Sequence, residues 1–146
     1  MYGVHLTLMN KPTESNEKRV LSKDHKKLSK LLNKYADSNK ITDRAGLAQF
    51  LASELHSHLK LEEKMIFPGL SRNPEGERVI GEMLRDHHAM IMIIDELLAI
   101  CTTKNDVAYQ SKLQDLRNGL SAHIEESEHN FLPRATELKT NRPLSH

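Results

Sequence analysis

Four stretches of this chain repeat their apolar residues every three or four positions, and the breaks between them are only three or four residues long. That combination limits the fold more than any other feature. The period is that of helices with one face turned to a core. Connections so short favour antiparallel neighbours, so the chain is expected to be all-α, an up-down-up-down antiparallel four-helix bundle. Segment A covers roughly residues 14–36, with Leu21, His25, Leu28, Leu32 and Tyr35 on one stripe. Segment B starts near Thr42 as N-cap, with Asp43 behind it, and runs to about Phe67 through Leu47, Phe50, Leu51 and Leu55. Segment C, about 75–102, turns Ile80, Met83, Leu84, His87, Ile91, Ile94 and Leu98 inward. Segment D, about 106–131, does the same with Leu113, Leu116, Leu120, His123, Ile124 and Phe131. An N-terminal extension, 1–13, precedes the bundle of 14–133, and 134–146 is expected as a polar, frayed tail.

The halves resemble each other. KDHKKLSKLL (23–32) aligns with RDHHAMIMII (85–94), and HLKLEEKMIFP (58–68) aligns without gaps with HIEESEHNFLP (123–133). The Asp-His pairs are 62 residues apart and the His/Pro segments 65. This reads as an internal two-helix duplication with a pseudo-twofold axis through the bundle.

Each stripe therefore carries one inward histidine: His25, His58, His87 and His123. On segment B the next inward position after His58 is Glu62, and residues four apart lie about 40° apart around a helix, so both side chains reach one point. A buried, unpaired carboxylate costs several kcal/mol, so a fold keeps one only where a cation or donor compensates it. A divalent metal would do so, using imidazole nitrogens as further ligands. Such a donor set, without thiolate, suits iron, manganese or zinc. His56, roughly 200° from His58, is expected to face outward. His5, His88, His129 and His146 are read as surface residues too.

Composition excludes other classes. With 21 basic and 20 acidic residues the formal net charge is +1, which leaves no footprint for nucleic acid or an anionic membrane. The cluster Lys23, Lys26, Lys27 and Lys30 is read as a solvated helix face. The single cysteine, Cys101, allows neither an internal disulfide nor a cysteine-based metal cage. No apolar run approaches the roughly 18 residues that span a bilayer, and MYGVHLTLMN lacks the features of a signal peptide. A cytoplasmic protein is expected. Met90, Ile93 and Leu97 form a further apolar stripe on segment C, read as core in preference to a homodimer face.

The layout resembles the hemerythrin or HHE cation-binding domains over about 14–133. The shared features are a histidine on helix A, H-x-x-x-E before Phe-Pro on helix B, a histidine on helix C, and a histidine with a nearby carboxylate before a proline on helix D. The resemblance implies two non-haem iron ions (manganese or zinc being alternatives) with a bridging water, hydroxide or oxo group and an open position for O2 or NO. It assigns His25, His58, Glu62, His87 and His123 as ligands. Two positions depart from the family pattern. Four residues after His123 stands Ser127 instead of glutamate. Glu128 is then the expected ligand, with Glu126 the fallback. An ideal helix turns Glu128 about 140° from His123, so local unwinding or a π-bulge would be required. On helix C, Ile91 stands where oxygen carriers have a further histidine, which argues against simple O2 carriage. The expected function is binding or sensing of O2 or NO, or a response to iron or redox state, with a separate protein partner for any signal. A di-iron enzyme (peroxide reduction or ferroxidase-type) or an iron-centre repair protein is the alternative.

Overall fold

The computed structural model describes residues 16–36 and 41–140, the side chains of 35, 36 and 41–43 excepted. Four long helices form the bundle: α1 (Asn16–Ala36), α2 (Ile41–Ile66), α3 (Pro74–Ile100) and α4 (Asp106–Glu126). A π-helical turn, Ser127–Phe131, then leads into α5 (Leu132–Thr140). No strand occurs among the described residues. Each long helix packs on the next, and α1 also packs on α4, which closes the bundle.

Local chemistry sets the ends. Asn73 caps α3, accepting the Gly76 N–H at 2.7 Å, with Pro74 in the first turn and Glu75 and Glu77 favourable at the positive end of the dipole. Asn105 caps α4 in the same way through the Ala108 N–H at 3.1 Å. Between α2 and α3 the chain reverses through Gly69 at φ 90° and buries Leu70 completely. Gly76 lies so close to that turn that a Cβ there would sit 1.7 Å from the Leu70 carbonyl oxygen, so only glycine fits.

The last element differs from expectation. Pro133 does not end the helix, and 134–140 is not a frayed tail: α5 continues to Thr140, burying Leu132 and Ala135 with Leu138 packed beside them. Proline lacks an N–H and clashes with the carbonyl four residues back. Here the chain widens just before it, and the Leu132 N–H bonds to the Ser127 carbonyl, five residues back.

The apolar core is in two parts. One contains Leu28, Leu32, Leu51, Leu55, Met90, Ile94, Leu113 and Leu116 among others, and the second contains Leu21, Ile66, Leu70, Val79, Met83 and Phe131. On α1, α2 and α3 the inward histidine stands between a residue of the first cluster and a residue of the second, and on α4 His123 follows Leu120 of the first while Phe131 of the second lies in the π-helical turn beyond. The stripes of α2 and α3 are each one position off in part. Phe50 is 52% exposed and Leu84 45% exposed, because the buried lines run through Ala48, Leu51 and Leu55 and through Val79, Met83 and His87. Met90 and Leu97 are buried in the first cluster and Ile93 packs against it, so this stripe is core. The helix α2 begins one residue ahead of Thr42, whose expected capping side chain, like that of Tyr35 and the extension 1–13, lies outside the described residues.

Polar ties brace both ends. Near the start of α2 the buried Arg44 bonds Asp106 at 2.6 Å and lies 4.0 Å over the Tyr109 ring. At the far end Arg134 grips Glu82 with two nitrogens, at 2.8 and 3.3 Å.

Candidate metal centre

Between the two apolar clusters lies a layer of polar side chains. His25 comes from α1, His58 and Glu62 from consecutive turns of α2, His87 from α3, and His123 from α4, with Ser127 opening the wide turn. All six are buried, Glu62 and Ser127 completely. The four Nε2 atoms converge on one carboxylate. Those of His25, His58 and His123 lie 3.0, 3.1 and 3.2 Å from Glu62 Oε2, and that of His87 lies 2.8 Å from Oε1. The Ser127 hydroxyl donates to Oε2 at 2.9 Å.

Each histidine's other nitrogen meets a carboxylate as well. The Nδ1 atom of His25 is 2.7 Å from Glu128, that of His58 2.5 Å from Asp24, that of His87 2.7 Å from Glu63, and that of His123 2.5 Å from Asp86. An ionised carboxylate only accepts, so Nδ1–H is the donor in all four pairs. A neutral imidazole in that tautomer turns the Nε2 lone pair toward the anionic Glu62, which is repulsive. The arrangement therefore needs positive charge in the middle, carried by protons or by a metal ion.

Electrostatics point the same way. Burial acts to raise the Glu62 carboxyl, but hydrogen bonds from His123, His25, His58 and His87 outweigh it and hold the group well below the usual carboxylate range. Burial acts to lower His123, yet its bonds to Asp86 and Glu62 push it up to about 9. His87 is raised for the same reason, against its own burial, by Glu62 and Glu63. Protonating all four rings would place four cations with neighbouring ring centroids only 4.6 to 5.6 Å apart. Metal cations bonded to the Nε2 lone pairs would satisfy them without that repulsion. The ligand atoms of His25, His58, Glu62 and His123 all lie within 4.8 Å of one another. Donors at right angles on an ion, each about 2.1 Å away, stand about 3 Å apart, close to the separations seen here. The residues fit a bound metal.

Of the six expected ligands, the structure brings five together: His25, His58, Glu62, His87 and His123. It places Glu128 elsewhere. The expected π-helical turn is present, but it opens after Ser127, which keeps that serine on the face of His123 and points it inward. Glu128 instead lies on the outer side of His25. Glu126 is exposed and bonds Asn130 at 3.1 Å. Ile91 packs against the first apolar cluster. His88 is exposed, His129 is 70% exposed and faces Glu125, and His56 is half-buried, which departs from its expected outward position. Sequence reasoning gave no role to Asp24, Asp86 or Glu63. Their signal was present in the repeat, since Asp24 and Asp86 share the 62-residue offset and Glu63 and Glu128 the 65-residue one.

An antiparallel bundle with a buried His/Glu layer defines a cation-binding helical domain. The family model of the hemerythrin HHE cation-binding domain matches residues 18–135, and the chain belongs to that family. No curated protein and no solved structure matches it. Among the described residues, no helix is long and apolar enough to cross a membrane.

Proposed function

We propose that this chain holds a pair of non-haem iron ions and uses them to bind or sense O2 or NO, or to respond to iron or redox state. The observation that carries the reading is the convergence of four buried Nε2 atoms on the two oxygens of Glu62. Those oxygens face different donors, three histidines on Oε2 and His87 on Oε1, so each oxygen would be free to serve a separate ion. In this assignment His25, His58 and His123, which group with Glu62, would hold one ion, His87 would serve the second from the Oε1 side, and Glu62 would be available to both. Iron, when bound, would supply redox chemistry and affinity for a diatomic ligand.

The chain's own residues then set what can reach it. The layer is closed on both sides by apolar clusters, among them Leu28, Leu55 and Met90 on one side and Leu21, Ile66, Met83 and Phe131 on the other. A site so enclosed admits a small neutral molecule more readily than a polar substrate. Glu128, assigned from sequence as a ligand, acts in this reading through His25, and Ser127 takes the inner position.

The test is a titration of the anaerobically iron-loaded protein with NO and then O2, followed by absorption and by electron paramagnetic resonance. Reversible, saturable spectral changes without turnover are expected. Catalytic consumption of peroxide or Fe(II) would instead make the protein an enzyme, and no response to any of these would contradict the reading.

A further inference from the structure

The carboxylates on the outer nitrogens are arranged by helix in a closed cycle. Asp24 of α1 holds His58 of α2, and Glu63 of α2 holds His87 of α3. Asp86 of α3 holds His123 of α4, and Glu128, in the turn that follows α4, returns to His25 of α1. Each of the four long helices thus gives one histidine to the centre; those of α2, α3 and α4 are held by the helix before, and that of α1 by the turn after α4. These carboxylates are 22% to 33% exposed, so each keeps part of its hydration while its partner ring is buried.

We propose that Asp24, Glu63, Asp86 and Glu128 are positioning residues of the metal centre: together they orient all four imidazoles with Nε2 inward and provide the negative charge that the inner ligands lack. The proposal rests on the metal-binding reading above and deepens it.

Two arguments support it. The first is orientation. An imidazole can present either nitrogen, and a carboxylate on Nδ1 fixes both the tautomer and the ring plane, while making Nε2 a better donor. All four rings are held in this one way, so the convergence on Glu62 is a property of the cycle and not of any single pair. The second is charge. Two divalent ions bring four positive charges, and Glu62, the only inner carboxylate among the described residues, offsets one. Neutral imidazoles offset none. The four carboxylates of the cycle stand one ring's width away and bring four negative charges, more than enough to offset the three that remain, which matters in a layer closed by apolar clusters, where charges are poorly screened.

The experiment compares wild type with Asp24→Ala, Glu63→Ala, Asp86→Ala and Glu128→Ala, and with the corresponding Asn or Gln variants. Fe(II) affinity is measured anaerobically by competition with a chelator. The histidine tautomers of the Zn(II)-loaded proteins are read by nitrogen-15 NMR, and thermal melting of the metal-free proteins checks folding. Each alanine variant is expected to lose about 10- to 100-fold in affinity and to disturb the tautomer of its own partner histidine. Should an alanine variant not fold, its amide counterpart carries the test. The amide oxygen still accepts from Nδ1–H, so Asn or Gln should restore the tautomer but recover only part of the affinity. Folded variants that keep wild-type affinity and tautomers would overturn the cycle's role, as would lower melting temperatures with metal affinity unchanged. A wild type that binds neither ion would overturn the metal reading itself, and this proposal with it.

Discussion

The two halves of the bundle match residue for residue at the site except in one place. Asp24 corresponds to Asp86, His25 to His87, His58 to His123, and Glu63 to Glu128, but Glu62 corresponds to Ser127. The structure keeps the match, since equivalent residues make equivalent bonds on opposite sides of the layer. At the odd pair it does not: the α2 half contributes a completely buried carboxylate, and the α4 half a completely buried hydroxyl that donates to it. The histidines and the carboxylates behind them are duplicated, whereas the inner negative charge is held once. Coordination should therefore depend on the α2 half far more than on the α4 half.

The sharpest way to break this comparison is Glu62→Ala. It removes the carboxylate on which four imidazoles converge, the only inner anion among the described residues, so bound iron should fall below about a tenth of the wild-type amount, as elemental analysis of the purified variant would show. A full complement of iron would mean that the halves contribute alike. Exchanging the odd pair is the next test. Glu62→Ser should lose metal, and adding Ser127→Glu in that background should restore affinity by about tenfold or more, measured by chelator competition. No recovery would show that the equivalence of the two positions is only one of sequence.

Acidity separates protons from metal at the same nitrogens. In the metal-free protein the His123 pKa is raised from 6.5 to about 9. Its contribution to stability is full below the unfolded value and is lost as pH rises through the folded one. The melting temperature of the metal-free bundle should therefore fall between pH 6.5 and about 9. Metal affinity should rise over the same interval, because ligation displaces protons. Parallel trends in the two quantities would contradict the shared-site account. The smallest effect belongs to a pair remote from the layer. Arg134→Ala removes the bonds to Glu82, whose carboxyl those bonds hold below its usual range. Loss of this part-exposed tie should cost no more than about 1 kcal/mol in chemical denaturation, with metal content unchanged.

How far the sequence discloses this molecule follows from the same contrast. Helices and histidines were legible because burial imposes a period, and His58 with Glu62 broke an apolar stripe at the place where a core residue was due. Neighbours of a stripe were harder: Phe50 and Leu84 are apolar and lie one residue from buried positions, so composition alone could not show that they face outward. Glu128 was assigned inward through a widened turn. The widening exists, but because it opens after Ser127, ideal geometry still carries the serine to the centre. Asp24 and Asp86 resemble ordinary surface residues, and their importance shows only once the next helix places a ring against them. Pro133 looked like an end because proline breaks regular α-helix, and the wide turn is the device that lets the helix pass it.

The most direct measurement of the central claim is the amount of metal per chain in wild-type protein purified anaerobically from iron-replete cells. The account predicts iron approaching two ions per chain, released together on acidification. Protein that is folded and helical but essentially free of metal would contradict it, and would leave the His/Glu layer as a proton-bound structural network.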